Sequence, residues 1–554
     1  MKPSKTRILR DTVCAFGRDK AGNFGMLAAL LSLPLLGAVG LAIDYSTMSR
    51  TRVELQQAID AAVLAVAQRG ADISKSEARR IAENYMSGNL AGIYRNLEVS
   101  REGTRVTLKA ETDASLAFGG LFGLTNQPIN AIASADIAYS TYEVALVLDT
   151  TGSMRGGKLQ SMKDAVIGLV DDLSGQVSDP ERLKFALVPF SSFVNVGPQY
   201  GPKFDDKGKI IKGTGAEWLD LDGEADIPQI ELKPGISRFE VYHNLGQEWK
   251  GCVETRYPSK KGAHDVDDTP ADKSDKNSYF VPAFAIDEPD QQAYTNSYIR
   301  ASVDPQSKRA RDEAAKLDKY GVPDHLISKS VGASPGGGDD DDDGEGRDGR
   351  GSGGAGWKRV HADFRNGKGP NNNCFAQPIT PLSNNYADIK SKVKAFVANG
   401  TTNIMEGVAW GFRVLSPGEP FSQGKDDKND PRIEKIMVVL SDGANVFGNR
   451  GVKLGSSYSS FGYLVDGRLG FSAGGAKATN TAMNEKTLEA CKNAKDEGVE
   501  VYTIRLEEPD VATGMMLQEC ASSPGHFFDA PSRSQLDAVF EKIGDGIVKL
   551  RISS

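Results

Sequence analysis

The feature that most constrains this chain is a run of 21 residues without a charge, "NFGMLAALLSLPLLGAVGLAI", from Asn23 to Ile43. As a helix at ~1.5 Å per residue it would be roughly 31 Å long, about the thickness of a bilayer's hydrocarbon core. Pro34 would kink such a helix without forbidding it. The run exceeds the ~7–15-residue apolar core of a secretory signal, and helical patterning continues beyond it. It therefore predicts a transmembrane helix over 23–43, with a signal cleaved after "AVG", before Leu41, as the alternative.

The charges before this run set its predicted orientation. Residues 1–22 carry six Lys or Arg and two Asp. Basic flanks remain in the cytoplasm, so we expect a cytoplasmic basic tail over 1–22 and everything after Asp44 outside the cytoplasm. No later stretch of the sequence is long and apolar enough to cross back, which predicts a single-pass protein.

Length and net charge limit what the rest of the chain can be. A chain of 554 residues is too long for one compact core, which predicts two or three domains. The formal net charge of −8 disfavours nucleic acid as a partner, because binding phosphates requires a basic face.

Residues 44–140 predict a small α+β module. The helical pattern continues past the apolar run, and four aliphatic side chains share one helix face: Leu55, Ile59, Val63 and Val66. Two alternating segments follow, "RVTLKAE" and "INAIASADIAY", and this pattern is typical of half-buried strands.

From residue 141 to residue 554, apolar strands alternate with amphipathic helices. The predicted strands are 143–148, 182–190, 435–440 and 499–506, and the predicted helices are about 158–173, 386–397, 403–415, 485–496 and 534–550. This alternation predicts the α/β class with a Rossmann-like, doubly wound and mostly parallel sheet. Ligands of such sheets bind at the carboxyl ends of the strands.

Two insertions interrupt the predicted sheet. The long one spans about 197–373 and is rich in Gly, Pro and charged residues; its segment 334–356 is low-complexity and is not expected to fold alone. The aspartates 339–343 within it lack the ligand spacing of a calcium loop, which favours a solvated linker. The short insertion, 445–481, directly follows a predicted strand end, so it should lie beside any site there.

The segment "EVALVLDTTGSMRGGKLQSM", residues 143–162, joins the first of these strands to a helix and admits two interpretations. Gly152 to Lys158 matches G-x-x-x-x-G-K, the phosphate loop of nucleotide-binding proteins. That loop needs Ser or Thr after the Lys to hold magnesium, whereas Leu159 stands there. A domain outside the cytoplasm would also meet little nucleoside triphosphate. The second interpretation, a metal site, is therefore favoured.

The metal interpretation begins with Asp149, Thr151 and Ser153, which alternate along the loop after a strand. A hard cation such as Mg²⁺ takes about six oxygen ligands and usually keeps some waters, so one loop is insufficient. Two further loops beside predicted strand ends offer hydroxyl and carboxylate ligands, "NGTTNIMEGV" and "VVLSDGAN".

These three loops together resemble the von Willebrand factor A domain and its metal-ion-dependent adhesion site. The family pattern is Asp-x-Ser-x-Ser, then Thr, then Asp, on a Rossmann-like sheet. Carried over residue by residue, it implies these ligands: Asp149, Thr151, Ser153, Thr402 and Asp442. Thr151 replaces the usual first serine and keeps the hydroxyl. Thr402 is preferred to Thr401 because it precedes Asn-Ile, similar to the family's Gly-Thr-Asn. The implied cofactor is Mg²⁺ or another divalent cation.

A second resemblance covers nearly the whole chain except the Gly/Asp-rich insert. The N-terminal "AGNFGMLAALLSLPLLGAVGLAIDYSTMSRTRVELQQAIDAAVLAVA" looks like that of TadE/TadG-like pilus-assembly proteins. The segments "WKGCVETR", "CFAQPITPL" and "VYTIRL" resemble TadG-type members with a C-terminal A domain. The resemblance implies a part in the tight-adherence (Flp) pilus system of a bacterial envelope. Together with the predicted anchor, it places the protein in the inner membrane with its bulk periplasmic.

The placement of four cysteines suggests two disulfides. Cys252 and Cys374 bracket the long insertion, and Cys491 and Cys520 bracket the last central strand. Because a location outside the cytoplasm permits disulfides, we predict the pairs Cys252–Cys374 and Cys491–Cys520. Free thiols are the alternative, and Cys14 should be reduced in the cytoplasm.

The sequence lacks a recognisable catalytic set. Its five histidines show no paired metal spacing, and "GASPG" at 332–336 lacks the strand and helix of a nucleophile elbow. We therefore expect a non-enzymatic binding protein whose Mg²⁺ accepts a carboxylate from a protein partner, which would be a pilin, an assembly component or a surface ligand. The alternatives are a structural envelope scaffold in which the metal is incidental, and an NTPase.

Overall fold

A computed structural model describes residues 22–69, 73–90, 92–102, 105–123, 125–136, 140–177, 179–229, 231–232, 234–290, 292–299, 317–322, 360–430 and 432–553. Residues 1–21 of the predicted tail, with Cys14, and the low-complexity segment 334–356 lie outside these ranges. The chain divides into two compact units, Met1–Tyr139 with Leu550–Ser554, and Ser140–Lys549.

The first unit begins with a long helix, α1 (Gly22–Gln68), which is continuous through Pro34. Its N-terminal part exposes large aliphatic side chains; Leu27 is 62% and Leu33 is 76% exposed. Among the described residues, Leu27–Gln68 is the one helical segment long and apolar enough to cross a membrane. A secretory signal passes the same test of length and composition, so the membrane topology remains a prediction.

The rest of the first unit is an α+β arrangement. A second helix and three antiparallel strands in the order β1-β2-β3 follow α1: α2 (Lys75–Asn89), β1 (Tyr94–Glu102), β2 (Arg105–Ser115) and β3 (Asn126–Asp136). The sequence patterns did not predict α2, which begins where the Ser74 hydroxyl accepts a hydrogen bond from the Glu77 N–H. β1 is mostly exposed and interrupted by a bulge between Arg95 and Glu98, so its alternation is weak.

The predicted apolar face of α1 is confirmed. Its four aliphatic side chains are at most 3% exposed, and they share one core with β2 and β3: Leu55, Ile59, Val63 and Val66. On β2, Val106, Leu108 and Ala110 point into the same core, because alternate residues of a strand face one side.

Six strands form the sheet of the second unit, in the order β6-β5-β4-β7-β8-β9. Their bounds are β4 (Thr141–Asp149), β5 (Leu183–Phe190), β6 (Thr380–Ser383), β7 (Ile433–Ser441), β8 (Glu500–Leu506) and β9 (Phe527–Ala530). All neighbours pair in parallel except β5 and β6, which are antiparallel. The predicted class, a mostly parallel α/β sheet, is confirmed. β6 and β9 have four residues each, too few to show a pattern in the sequence.

Helices cover both faces of this sheet. They are α3 (Gly157–Gln176), α4 (Arg238–Asn244), α5 (Tyr386–Ala395), α6 (Ile404–Leu415), α7 (Ala476–Asp496), α8 (Val511–Cys520) and α9 (Leu536–Ser553). On β4, Val144, Leu146 and Leu148 share a core with α3, α5 and α9. Ala145 and Val147 share the opposite core with α6, α7 and α8. The sheet is therefore the middle of three layers.

Two helix predictions need correction. Helix α7 begins at Ala476 rather than near 485, so the end of the predicted short insertion is helical. Its first turns are polar and lightly buried, which leaves no apolar stripe to mark them. Helix α8 was not predicted, because buried and exposed residues in it follow no strong helical stripe.

The described part of the long insertion folds onto the α6 side of the sheet. Trp218 packs against Phe280, with ring centroids 5.9 Å apart, and Phe280 packs against Trp410 of α6 at 4.8 Å. Aromatic side chains supply much of this core, which explains how a segment rich in Gly, Pro and charge still buries an apolar interior.

A buried carboxylate ties the long insertion to the short one. Glu254 Oε1 lies 2.7 Å from Arg238 Nη1, and Glu254 Oε2 lies 2.6 Å from Arg468 Nη1 of the short insertion. Burial alone would raise the pKa of Glu254, but the two guanidinium groups outweigh it and lower that pKa below its usual range. The Tyr458 hydroxyl also donates to Glu254. The two insertions thus form one packed lobe.

Both predicted disulfides are present. Cys252–Cys374 joins positions 122 residues apart with the Cα atoms 5.8 Å apart. Cys491–Cys520 joins α7 to the end of α8, positions 29 residues apart, with the Cα atoms 5.2 Å apart. Each bond closes a loop of the second unit, which restricts its unfolded state.

Candidate metal site

The first loop of the site follows the central strand β4. Every residue of β4 after Thr141 is buried, and Asp149 at its end is fully buried. The backbone N–H of Thr151 donates to Asp149 Oδ1 at 2.8 Å, which turns the loop back over the strand end. The Thr150 N–H donates to the Phe190 carbonyl at 3.0 Å and holds the loop against the end of β5.

The third loop lies beside the first because β7 is the parallel neighbour of β4. Leu148 of β4 pairs with Leu440 of β7, so both strands end at the same edge of the sheet. Ser441 donates through its hydroxyl to Asp149 Oδ2 at 2.7 Å, and Asp442 follows it. The chain crosses from one side of β4 to the other between β5 and β7, so this edge is the topological switch point where such sheets bind ligands.

The second loop, residues 399–403, precedes α6 and is bonded to the other two. The Asn399 N–H donates to the Thr150 carbonyl at 2.8 Å, and the Gly152 N–H donates to the Gly400 carbonyl at 3.0 Å. The Val446 N–H, just past the third loop, donates to the Thr402 carbonyl at 2.8 Å. Backbone hydrogen bonds thus fix all three loops relative to one another.

The five predicted ligands converge at this edge. Ser153 Oγ donates to Asp442 Oδ1 at 2.6 Å and lies 2.9 Å from Thr151 Oγ1, which in turn lies 3.3 Å from Thr402 Oγ1. Thr151 also caps the Asp149 carboxylate through its N–H. The three hydroxyls and two carboxylates therefore form one connected cluster from three loops.

The structure separates the two threonines of the second loop. Thr402 is 5% exposed and lies against Thr151, whereas the Thr401 hydroxyl lies 2.9 Å from Ser192 Oγ. The Thr401 N–H also donates to Ser192. Of the two, Thr402 is the one that joins the cluster.

The two carboxylates of the cluster, Asp149 and Asp442, repel each other. The pKa of Asp149 is raised to about 6, first by burial and next by the nearby negative charge of Asp442, while hydrogen bonds from Thr151 and Ser441 act to lower it. Lys158, at the start of α3, donates to Asp442 Oδ2 at 2.8 Å and lies 3.9 Å from Glu507 Oε2. One ammonium group therefore faces two carboxylates, of which Asp442 is buried and Glu507 is partly exposed.

The donor set fits a hard divalent cation. Carboxylate and hydroxyl oxygens are the ligands that Mg²⁺ takes in proteins, usually with retained waters. Within the described residues, no group of three or more His, Cys, Asp or Glu side chains could hold a metal ion. Any cation here would thus depend on the three hydroxyls as well as on Asp149 and Asp442.

The phosphate-loop interpretation does not fit this geometry. Leu159, which stands where such a loop needs a hydroxyl, is 8% exposed and packs into the core beneath α3. Lys158 is turned to Asp442 instead of an open loop. The G-x-x-x-x-G-K match is therefore a coincidence of the loop's glycines.

The sequence patterns did not indicate the role of three residues at or beside the site. Ser441 orients Asp149, and the only signal for it is its place directly before Asp442 in "VVLSDGAN". Lys158 was considered only as a phosphate-binding lysine. Asn445, whose side chain accepts from the Ile404 N–H at 2.8 Å, holds the start of α6.

Comparisons with protein families agree with this architecture. Residues 22–69 match the model of the putative Flp pilus-assembly TadE/G-like family, and residues 143–211 match the model of the von Willebrand factor type A domain. The second match contains the first loop of the site, whereas Thr402 and Asp442 lie beyond it. No curated protein sequence matches the chain.

Solved structures with some likeness include three pilus proteins. The pilus adhesin SpaC of Lactobacillus rhamnosus GG is 11% identical, with 82% of this chain and 35% of that chain covered and a TM-score of 0.30. The vWF domain of the type V pili tip protein Mfa5 of Porphyromonas gingivalis is 10% identical, with 75% of this chain and 97% of that chain covered and a TM-score of 0.31. The adhesive tip pilin GBS104 of Streptococcus agalactiae is 10% identical, with 74% of this chain and 100% of that chain covered and a TM-score of 0.31. The chain spans about a third of the SpaC chain. TM-scores this low carry no conclusion about the protein.

The sheet, its switch-point loops and the family match define the class: a protein with a von Willebrand factor A domain. Because its N-terminal helix matches the TadE/G-like family, it is a Tad pilus-related protein that carries this domain.

Proposed function

We propose that this protein is a membrane-anchored, extracytoplasmic component of a tight-adherence pilus system that binds a protein partner through Mg²⁺. The observation that carries the proposal is the convergence of five oxygen-bearing side chains from three loops at the switch point of the sheet. Two buried carboxylates that repel each other are costly, and Lys158 contacts one of them, Asp442, so a purely structural connection between the loops would not favour this arrangement.

Each member of the cluster has a place in this proposal. Asp149 and Asp442 would supply negative charge, and the hydroxyls of Thr151, Ser153 and Thr402 would supply neutral oxygens. When bound, Mg²⁺ would present a positive charge able to accept a carboxylate oxygen from the partner. Lys158 would have to release Asp442, at least in part, for both Asp442 oxygens to be available.

The location is supported by two independent features. Helix α1 is long and apolar enough to cross a membrane, and its N-terminal flank in the sequence is basic. The second unit holds two disulfides, which persist in oxidising compartments. A periplasmic second unit fits both.

Metal binding is tested by titrating the full chain with Mg²⁺ in a calorimeter. We expect binding that Asp149→Ala and Asp442→Ala abolish. Asp164→Ala is the matched control, because this exposed carboxylate on α3 lies outside the cluster and accepts only from Gln160. Absence of binding in the parent would remove the metal from the proposal.

The partner is tested by capture from native membranes with and without a chelator. A pilin or assembly component retained by the parent, released by chelator and absent with Asp149→Ala would support metal-dependent binding. The alternative is a structural envelope scaffold in which the metal is incidental. Full pilus assembly by an Asp149→Ala strain would favour that scaffold.

A further inference from the structure

The connection between β2 and β3 is unusually apolar for a hairpin. Residues 116–125 read "LAFGGLFGLT" and contain no charge, whereas exposed turns are normally built from polar residues and Gly or Pro. Phe118 is 38% exposed in this loop. Phe118 thereby adds to the apolar surface presented by the exposed aliphatic side chains of α1, and an extended exposed apolar surface marks a site that another apolar phase or partner covers.

The loop lies against the side of α1 within the predicted membrane span. A Cβ atom built on Gly40 would stand 2.8 Å from Phe118 Cγ, so the ring occupies the space left by that glycine. Gly40 precedes the end of the span, Ile43, by three residues, which is about 5 Å along a helix. Exposed aliphatic side chains surround this level of the helix, including Val39 at 53% and Leu41 at 61%.

A buried carboxylate holds the loop at this level. Asp44 is 5% exposed, and its oxygens accept from the Ala117 N–H at 2.7 Å and the Phe118 N–H at 3.1 Å. Burying a carboxylate is costly unless hydrogen bonds compensate it. The backbone N–H groups of Ala117 and Phe118 compensate the buried charge of Asp44, and both N–H groups thereby gain a hydrogen-bond acceptor.

The loop satisfies other backbone groups internally. The Leu116 N–H donates to the Thr125 carbonyl at 3.0 Å, and the Gly123 N–H donates to the Gly120 carbonyl at 3.2 Å. Backbone that enters an apolar phase must find its partners within the protein. The β2–β3 loop meets this requirement at these positions.

We propose that residues 116–123 are a second membrane-contacting element, which places Phe118 in the lipid interface of the extracytoplasmic leaflet. The covering partner is the phospholipid bilayer, because the loop continues the apolar surface of the predicted span and Phe and Leu side chains insert at that interface. The inference rests on the membrane anchoring proposed above. With two points of contact, the bilayer would fix the height and tilt of the first unit's sheet, which a single helix would leave free.

The test uses the full chain in phospholipid vesicles, with Cys14→Ser and the disulfides left oxidised. Gly120→Cys receives an environment-sensitive fluorophore, since a Cβ at this glycine meets no atom within 4 Å. Leu33→Cys reports on the span, and Ser134→Cys, exposed on β3, is the matched control in the same sheet. Nitroxide-bearing phospholipids then quench any label that contacts lipid.

We expect the label at 120 to be quenched at least about twofold more than the label at 134, as an interfacial loop requires. Quenching at 33 with none at 120 would overturn the loop contact and leave the anchor intact. No quenching at either position would overturn both proposals. Quenching at 120 alone would remove the spanning helix and would overturn the proposal of a loop that adds a second contact to that anchor.

A second comparison separates position from folding. Gly40→Leu should displace Phe118 and reduce the quenching at 120, whereas Gly37→Leu, where a Cβ meets nothing within 4 Å, should leave it unchanged. Equal quenching in both variants would contradict the proposed role of the Gly40 contact in holding the loop at the membrane.

Discussion

At the scale of single residues, the site is governed by buried negative charge that one ammonium group compensates only in part. Asp149 is fully buried beside Asp442, and the cation within reach in the described structure is Lys158. Burial strengthens both the repulsion between the carboxylates and their attraction to a cation, because the local dielectric is low. Two predictions follow from this balance at the residue scale.

The first prediction concerns Lys158. Lys158→Met removes the ammonium that contacts Asp442 Oδ2, so Mg²⁺ should bind roughly tenfold more tightly and the metal-free protein should be less stable. Calorimetry and thermal unfolding with and without Mg²⁺ measure both effects. Lys163→Met, on the same helix, is the control, since Lys163 donates to a backbone carbonyl away from the site. Weaker Mg²⁺ binding in Lys158→Met would contradict a competing role for Lys158.

The second prediction concerns pH. The pKa of Asp149 is raised from 3.8 to about 6, chiefly by burial. Between these values the native state holds more protons than the unfolded state, so the metal-free protein should lose stability as pH rises from about 4 through about 6. Mg²⁺ needs the deprotonated carboxylate, so its affinity should rise roughly tenfold from pH 5 to pH 7 and level off above that. Titrations at several pH values test this; an affinity independent of pH would contradict it.

At the scale of elements, the insertions are held by internal charge and covalent bonds in addition to apolar packing. Glu254 sits between Arg238 of α4 and Arg468 of the short insertion, and both pairs are nearly inaccessible to solvent. A buried ion pair adds little net stability when intact, but losing one member leaves the other charge without a partner. The lobe beside the candidate site therefore depends on Glu254.

Glu254→Gln should lower the free energy of unfolding by roughly 3–5 kcal/mol, because two buried guanidinium groups lose their counter-charge. Denaturant unfolding followed by tryptophan fluorescence measures this loss, since Trp218 and Trp249 lie in the same core. Glu217→Gln, at an exposed position of the same insertion, should have little effect. Equal losses in the two variants would show that the Glu254 cluster is not stabilising.

The disulfide between α7 and α8 yields a further prediction. Replacing both Cys491 and Cys520 by Ala should lower the free energy of unfolding by about 3–4 kcal/mol in the chain-entropy model, since the bond closes a loop spanning 29 residues. Thermal unfolding of the oxidised parent and the double variant compares them. The parent treated with a reductant should approach the variant; a parent unaffected by complete reduction would contradict the prediction.

At the scale of the whole molecule, each unit has its own core. The second unit, Ser140–Lys549, buries both faces of its sheet, and among the described residues both core clusters contain side chains of this unit alone. We expect a fragment of residues 140–554 to fold and to bind Mg²⁺ with the affinity of the full chain. Circular dichroism and calorimetry test this, with Asp149→Ala in the fragment as the control. A fragment that unfolds would show that its stability requires the N-terminal unit.

Much of the fold could be predicted because its signals are local. A long run of residues without charge indicates α1, and apolar strands that end in polar residues indicate β4 and β7. The elements that escaped prediction lack such signals: β6 and β9 are too short, and α2 and the first turns of α7 are polar. The core of the long insertion could not be predicted, because its aromatic side chains are scattered among glycines and charged residues.

The sequence by itself determined the candidate ligands, since the loop after β4, the threonine before α6 and the aspartate after β7 match the A-domain pattern in order. Only the tertiary structure decided that they meet. The parallel pairing of β4 with β7 brings Asp149 and Asp442 together across 293 positions of chain, and loop hydrogen bonds select Thr402 over Thr401. It also decided the role of Lys158, whose contact with Asp442 depends on where α3 starts relative to β7. Such long-range distances follow from strand order and packing, which no local pattern encodes.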